Sequence, residues 1–176
     1  MAEALLPPFA MAAGVMLFAG LTKLRSPGAA QQSLGAFGLP PSPALARSVG
    51  ATEAGIGGLC LFAPGEIARI ALATAYLGLA LATGVRWLEG ERESPCGCFG
   101  DASSRTHLGH VFLNLVFAAV GVTAVLVPPT GVVKILGEGP AALALLAGIG
   151  CSVYLTVVLL TLFPDSWRAY GAGEDA

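Results

Sequence analysis

Two thiols stand one glycine apart at Pro95-Cys96-Gly97-Cys98-Phe99-Gly100, in the one markedly polar loop of a very apolar chain. A Cys-x-Cys pair closes a disulfide only where the backbone turns tightly enough to bring the two Cα atoms within about 4.4–6.8 Å, and Gly97 supplies that freedom. So small a ring is strained, and strained disulfides are the labile, oxidising ones used for exchange. A bridge across a single residue also removes little chain entropy, which makes it a poor staple. The expected chemistry is thiol–disulfide exchange at Cys96 and Cys98: a thiolate attacks a partner disulfide, and its neighbour resolves the mixed disulfide. Either sulfur could attack. Two unreactive thiols, or a fixed structural bridge, are the competing readings. Phe99 and Gly100 read as support, a ring that covers the pair and a turn that returns the chain to the bilayer.

His107 and His110 follow with i, i+3 spacing at the start of an apolar run, so both imidazoles face one way. With the two thiolates they make a tetrahedral zinc set on paper, but one residue between the cysteines is tighter than zinc sites use, and no metal is expected. A protonated His near the loop would instead lower a thiol pKa, or both are interfacial polar residues. Glu53 sits inside another apolar run, where a carboxylate faces a partner or cavity. Arg47, Arg69 or the Lys23/Arg25 pair could satisfy it. Glu53 reads either as a proton site beside a quinone or thiol, or as half of a structural ion pair. Asn114 is expected to make an interhelical hydrogen bond. Cys60 and Cys151 lie in apolar runs and read as buried packing residues, with a relay thiol pair as the alternative.

The elements that must hold these residues are membrane helices. The chain has 176 residues, 55% of them hydrophobic and 11% charged, with a mean hydropathy of +0.77, against about 25% charged in an ordinary soluble domain. That length holds about five spanning helices and no separate soluble domain, so a single membrane domain over 1–176 is expected. Apolar runs cover about Leu5 to Leu24, Ala44 to Phe62, Ile67 to Trp87, Leu108 to Val127 and Pro140 to Phe163. The thiol loop is 89–106. Pro7-Pro8 suits a helix entrance, and Arg86-Trp87 reads as an interfacial anchor pair. The Gly- and Pro-punctuated connector 26–42 is too short to span, and its Leu34, Phe37 and Leu39 fit a segment lying along the interface. The first run lacks the positive flank of a secretory signal and reads as a retained helix. A net charge of -2 leaves no basic surface for nucleic acid. With five spans, Lys23, Arg25, Arg47, Arg86, Arg92, Arg105 and Arg168 share one face, and only Arg69 and Lys134 lie opposite. The positive-inside rule then puts the thiol loop on the cytoplasmic side.

On these residues the chain resembles the MauE/DoxX superfamily of small membrane proteins. Phe18-Ala19-Gly20-Leu21-Thr22-Lys23-Leu24, Pro27 and Gly38-Leu39-Pro40 are similar to its first-helix and connector pattern, and Glu53 with Gly57-Gly58-Leu59 to its second-helix pattern. Cys96-Gly97-Cys98-Phe99-Gly100 resembles the MauE branch more specifically. The resemblance covers about residues 4 to 127, and one departure is Leu113-Asn114, where the pattern has Arg-Asn. It implies an all-α polytopic membrane protein, a four-helix DoxX-like bundle plus a fifth C-terminal helix, in the cell (inner) membrane. It also implies redox work beside a thioredoxin-like protein or a disulfide-rich client such as methylamine dehydrogenase. No haem or flavin signature is present, and a membrane quinone could complete the circuit. A membrane scaffold or maturation chaperone, and a proton-coupled small-solute transporter using Glu53, are the alternatives.

Overall fold

The computed structural model describes residues 2–90, 97–99, 108–135 and 139–161. Among them every regular element is helical. Helix α1 runs Ala2–Arg25, α2 Gly28–Ala36, α3 Pro43–Phe62, α4 Glu66–Leu88, α5 Leu108–Leu126, α6 Val132–Ile135 and α7 Pro140–Thr161. Four of these, α1, α4, α5 and α7, are long and apolar enough to cross a bilayer. The protein is an all-α membrane protein that crosses the bilayer several times. α3 has comparable length, but Arg47, Ser48, Thr52, Glu53 and four glycines dilute its hydropathy.

Local chemistry sets the helix ends. Ser42 caps α3 by accepting a hydrogen bond from the Leu45 N–H at 3.1 Å, with Pro43 in the first turn. Pro64-Gly65 separates α3 from α4, and Cys60 Sγ donates to the Ala68 carbonyl across that turn at 3.2 Å. Helix α1 starts earlier than expected, so Pro7 and Pro8 lie inside it instead of at its entrance. Each proline removes one i→i−4 backbone donor, Pro7 the one to the Glu3 carbonyl and Pro8 the one to the Ala4 carbonyl, in the second turn of the helix.

Small residues fix the seam between α1 and α3. A Cβ on Gly20 would lie 2.4 Å from the Ala54 nitrogen, and one on Gly57 2.5 Å from the Leu17 nitrogen. Gly20 meets Gly50 and Ala54 while Gly57 meets Ala13 and Leu17, so the two helices run antiparallel in backbone contact. Gly121 brings α5 close to Ala73 on α4 in the same way, a Cβ there lying 2.8 Å from the Ala73 Cα. Tyr76 joins the two pairs, donating its hydroxyl to the Ala12 carbonyl at 2.6 Å and packing on Phe117 with ring centroids 5.0 Å apart. Helix α7 lies outside α1, touching it at Gly14 through Val153, and turns Leu143, Tyr154, Leu155 and Leu159 outward. The core cluster gathers α1, α4 and α5 around Phe9, Met16, Leu72 and Phe117.

Two elements lie outside the five expected runs. The connector forms α2, which buries Ala29 and Ala30 while Phe37 and Leu39 stay exposed. The short helix α6 buries Val132 and Ile135.

Candidate functional site

Lys23 is the hub of the polar end of the bundle. It sits in the last turn of α1, where a cation suits the helix dipole, yet it is only 3% exposed. A buried ammonium needs acceptors. Its Nζ donates to Glu53 Oε2 at 2.5 Å and to the Cys98 carbonyl oxygen at 2.8 Å. Of the cations the sequence offered to Glu53, Lys23 is the one that meets it, and Glu53 is 5% exposed. One side chain thus joins α1, α3 and the thiol turn.

Gly97 is held on the other side. Its φ is +70°, the left-handed region that only glycine enters freely. A Cβ there would lie 2.3 Å from Ser33 Oγ and 3.1 Å from the Ala29 carbonyl, so any side chain would collide with α2. Ser33 in turn accepts a hydrogen bond from Arg86 Nη1 at 2.8 Å. Arg86 is therefore buried, and the expected interfacial anchor is corrected: the guanidinium reaches inward to α2 because Ser33 and the thiol turn supply a polar environment there.

The turn brings Cys98 and Phe99 into the bundle. Cys98 is 8% exposed and Phe99 is buried, with the Phe18 ring 6.4 Å away between centroids. A polar surface loop was expected, but the described part of it packs inward because Gly97 reverses the chain against α2. Cys98 and Phe99 line a cavity of about 20 Å³ with Met16, Tyr76, His110 and Asn114. That is room for about one water. His110, read as tuning a thiol or as an interfacial polar residue, is 2% exposed on the inner face of α5. Asn114 lies one turn further along the same face. The arrangement puts a thiol, an imidazole, a phenol and an amide around one small, mostly apolar space.

Cys96, Gly100 and His107 lie outside the described residues. Among the described residues no three His, Cys, Asp or Glu side chains gather as a metal site would require. Cys60 is buried, as expected of a packing residue, but seven residues beyond Glu53, about 10 Å along α3 and away from the thiol turn. Cys151 departs from the reading: it is exposed on α7, because that helix buries only a narrow stripe. Sequence reasoning missed the parts of Arg86, Ser33 and Tyr76. The signal for Arg86 was an arginine inside the hydrophobic length of a helix and not beyond it.

The protein family described as Methylamine utilisation protein MauE matches residues 3–127, which include α1 to α5 and the thiol turn. No curated protein and no solved structure matches the chain.

Proposed function

The chain belongs to the MauE family, and from that premise we propose that it is a membrane thiol–disulfide redox protein working through Cys96 and Cys98. The observation that carries this reading is the seat of Cys98, whose carbonyl is held by the buried Lys23–Glu53 pair. Fixing a reactive turn on rigid helices is what exchange chemistry needs, since attack on a disulfide depends on the approach to the sulfur. Gly97 supports the same reading, because its backbone lets two neighbouring sulfurs lie on one tight turn. His110, Glu53 and Phe99 are its supporting residues, with Gly97, and His107 from the part not described.

In this reading α1, α3, α4 and α5 form the four-helix DoxX-like core, and α7 is a fifth span. α3 crosses with α1 because the two are in backbone contact along their lengths. The pair exchanges two electrons and two protons with a thioredoxin-like protein or with a disulfide-rich client of the methylamine dehydrogenase kind. A membrane quinone is the acceptor or donor that closes the circuit.

The test is thiol trapping in intact cells on Cys96→Ser and Cys98→Ser variants beside the wild type. Impermeant and permeant alkylating reagents are compared before and after mild reduction. Labelling of the pair only after reduction, with loss of client disulfides in both variants, is the expected result. Reduced thiols at rest and unchanged client disulfides would replace this reading by the scaffold, which the burial of Cys98 favours.

A further inference from the structure

We propose that the groove between α3 and α4 is a binding site for a lipid-soluble hydroquinone, held through Glu53. The proposal rests on the thiol–disulfide reading above and deepens it, giving the quinone of that reading a place and a preferred redox state. Glu53 uses only one of its two oxygens. Oε2 accepts from Lys23, while Oε1 accepts no hydrogen bond among the described residues. The residue is 5% exposed, and a carboxylate oxygen that deep is costly to leave without a donor. Glu53 lines a groove of about 360 Å³, with Ser48, Val49, Thr52 and Ile56 from the same face of α3 and Ala75 and Leu79 from α4. That volume lies in the range of small-ligand sites.

The polar side chains of this groove all accept. The Ser48 hydroxyl donates to the Ala44 carbonyl and the Thr52 hydroxyl to the Ser48 carbonyl, each at 3.0 Å, so both protons are committed while both oxygens keep lone pairs. With an ammonium on Oε2, Glu53 is a carboxylate and offers acceptors alone. An occupant must therefore bring donors. A cation is disfavoured, because Lys23 already neutralises Glu53 and a second positive charge would enter without a counter-charge. The donor that fits is a neutral hydroxyl.

Val49, Ile56, Ala75 and Leu79 make the rest of the wall aliphatic, and both helices cross the bilayer in the reading above. The occupant thus comes from the lipid, with an apolar body behind its hydroxyl. Position singles out a hydroquinone among such molecules: Leu79 is a wall of this groove and also of the cavity that Cys98 lines. The two spaces are one side chain apart. A quinone carries carbonyl acceptors where the hydroquinone carries hydroxyls, so the groove discriminates between the two oxidation states. Tighter binding of the reduced form makes the bound quinone the stronger oxidant, by about 30 mV for each tenfold of preference. The equilibrium so biased takes two thiols and a quinone to a disulfide and a hydroquinone. Two S–H bonds give way to one S–S and two O–H bonds, and two electrons and two protons pass to the ring.

The test is equilibrium binding to the full-length protein in lipid nanodiscs, with Cys96→Ser and Cys98→Ser combined so that no turnover consumes the probe. The probes are a short-chain alkyl benzohydroquinone, its quinone, and the dimethyl ether of the hydroquinone, which keeps the ring and lacks the donors. The hydroquinone should bind at least about tenfold more tightly than either of the others, the loss expected for one hydrogen bond to a charged acceptor. Glu53→Gln, whose amide donates as well as accepts, should cut that preference to less than about threefold. Ala75→Phe fills the groove and leaves the Lys23–Glu53 pair in place, and it should abolish hydroquinone binding with the helical circular dichroism unchanged. Equal affinities for the hydroquinone and its ether, or binding that survives Ala75→Phe, overturn the site. If client disulfides form in the wild type while the hydroquinone binds no better than its ether, the site fails and the thiol reading stands. If the hydroquinone binds as expected while thiol trapping finds no exchange, the thiol reading fails and the groove stands as a hydroquinone site.

Discussion

The seam between α1 and α3 and the contact between α1 and α7 are built on opposite terms. At the seam, Gly20, Gly50 and Gly57 bring backbone against backbone, and the buried Lys23–Glu53 pair locks the register. At α7, Gly14 meets only the tip of a valine side chain, and long apolar residues face outward. The family match covers the first contact and stops at residue 127, before α7 begins. The thiol turn rests on the seam. A site whose geometry must persist is attached to the part of the bundle with the least freedom to move, and α7 reaches it through Leu160, which lines the cavity beside Cys98.

Substitutions probe this contrast in order of expected size. Lys23→Met should destabilise the protein most, by about 3–5 kcal/mol, because it leaves the Glu53 carboxylate buried without its cation. Lys23→Met combined with Glu53→Met should recover much of that loss. Unfolding in mixed micelles followed by circular dichroism measures both, and an additive double variant would mean the pair does not lock the seam.

Gly57→Ala comes next. The added Cβ meets the Leu17 nitrogen at 2.5 Å and the Ala13 carbonyl at 2.6 Å, so two helix backbones must separate. A cost of about 1–3 kcal/mol is expected. Tyr76→Phe removes the hydroxyl that α4 gives to the Ala12 carbonyl, a loss of about 1 kcal/mol. Gly14→Ala should be smallest, under about 1 kcal/mol, because its new Cβ meets only Val153 Cγ2, which can turn away or shift with α7. Gly14→Ala costing as much as Gly57→Ala, in the same unfolding assay, would erase the distinction between the two contacts.

Helix positions were the most legible part of the chain. The run expected at 67–87 is a helix at Glu66–Leu88, and the run expected at 108–127 is one at Leu108–Leu126. Hydrophobic length and proline breaks are local properties that a single sequence displays. The partner of Glu53 was not legible, because Lys23 is 30 residues away and several other cations were equally plausible by composition. Cys98 was placed in a polar loop because Glu89, Glu91, Glu93 and Asp101 dominate that stretch. Its burial depends instead on a glycine with positive φ and a serine on another helix, which no local count reveals. His110 was left open between tuning a thiol and lying at the interface for the same reason: the spacing gave its direction, and only the packing of α5 on α1 and α4 shows that this direction is inward.

The Lys23–Glu53 pair also bears on how the chain is made. Lys23 leaves the ribosome thirty residues before its counter-charge, an interval of roughly 2–6 s at ordinary rates of synthesis. Until then α1 alone carries an ammonium with no buried acceptor, at a depth it can escape only by keeping its end near the headgroups. The ion pair that locks the first helix to the third can therefore form only after α3 has been made, so the seam that carries the thiol turn is closed late relative to α1 itself.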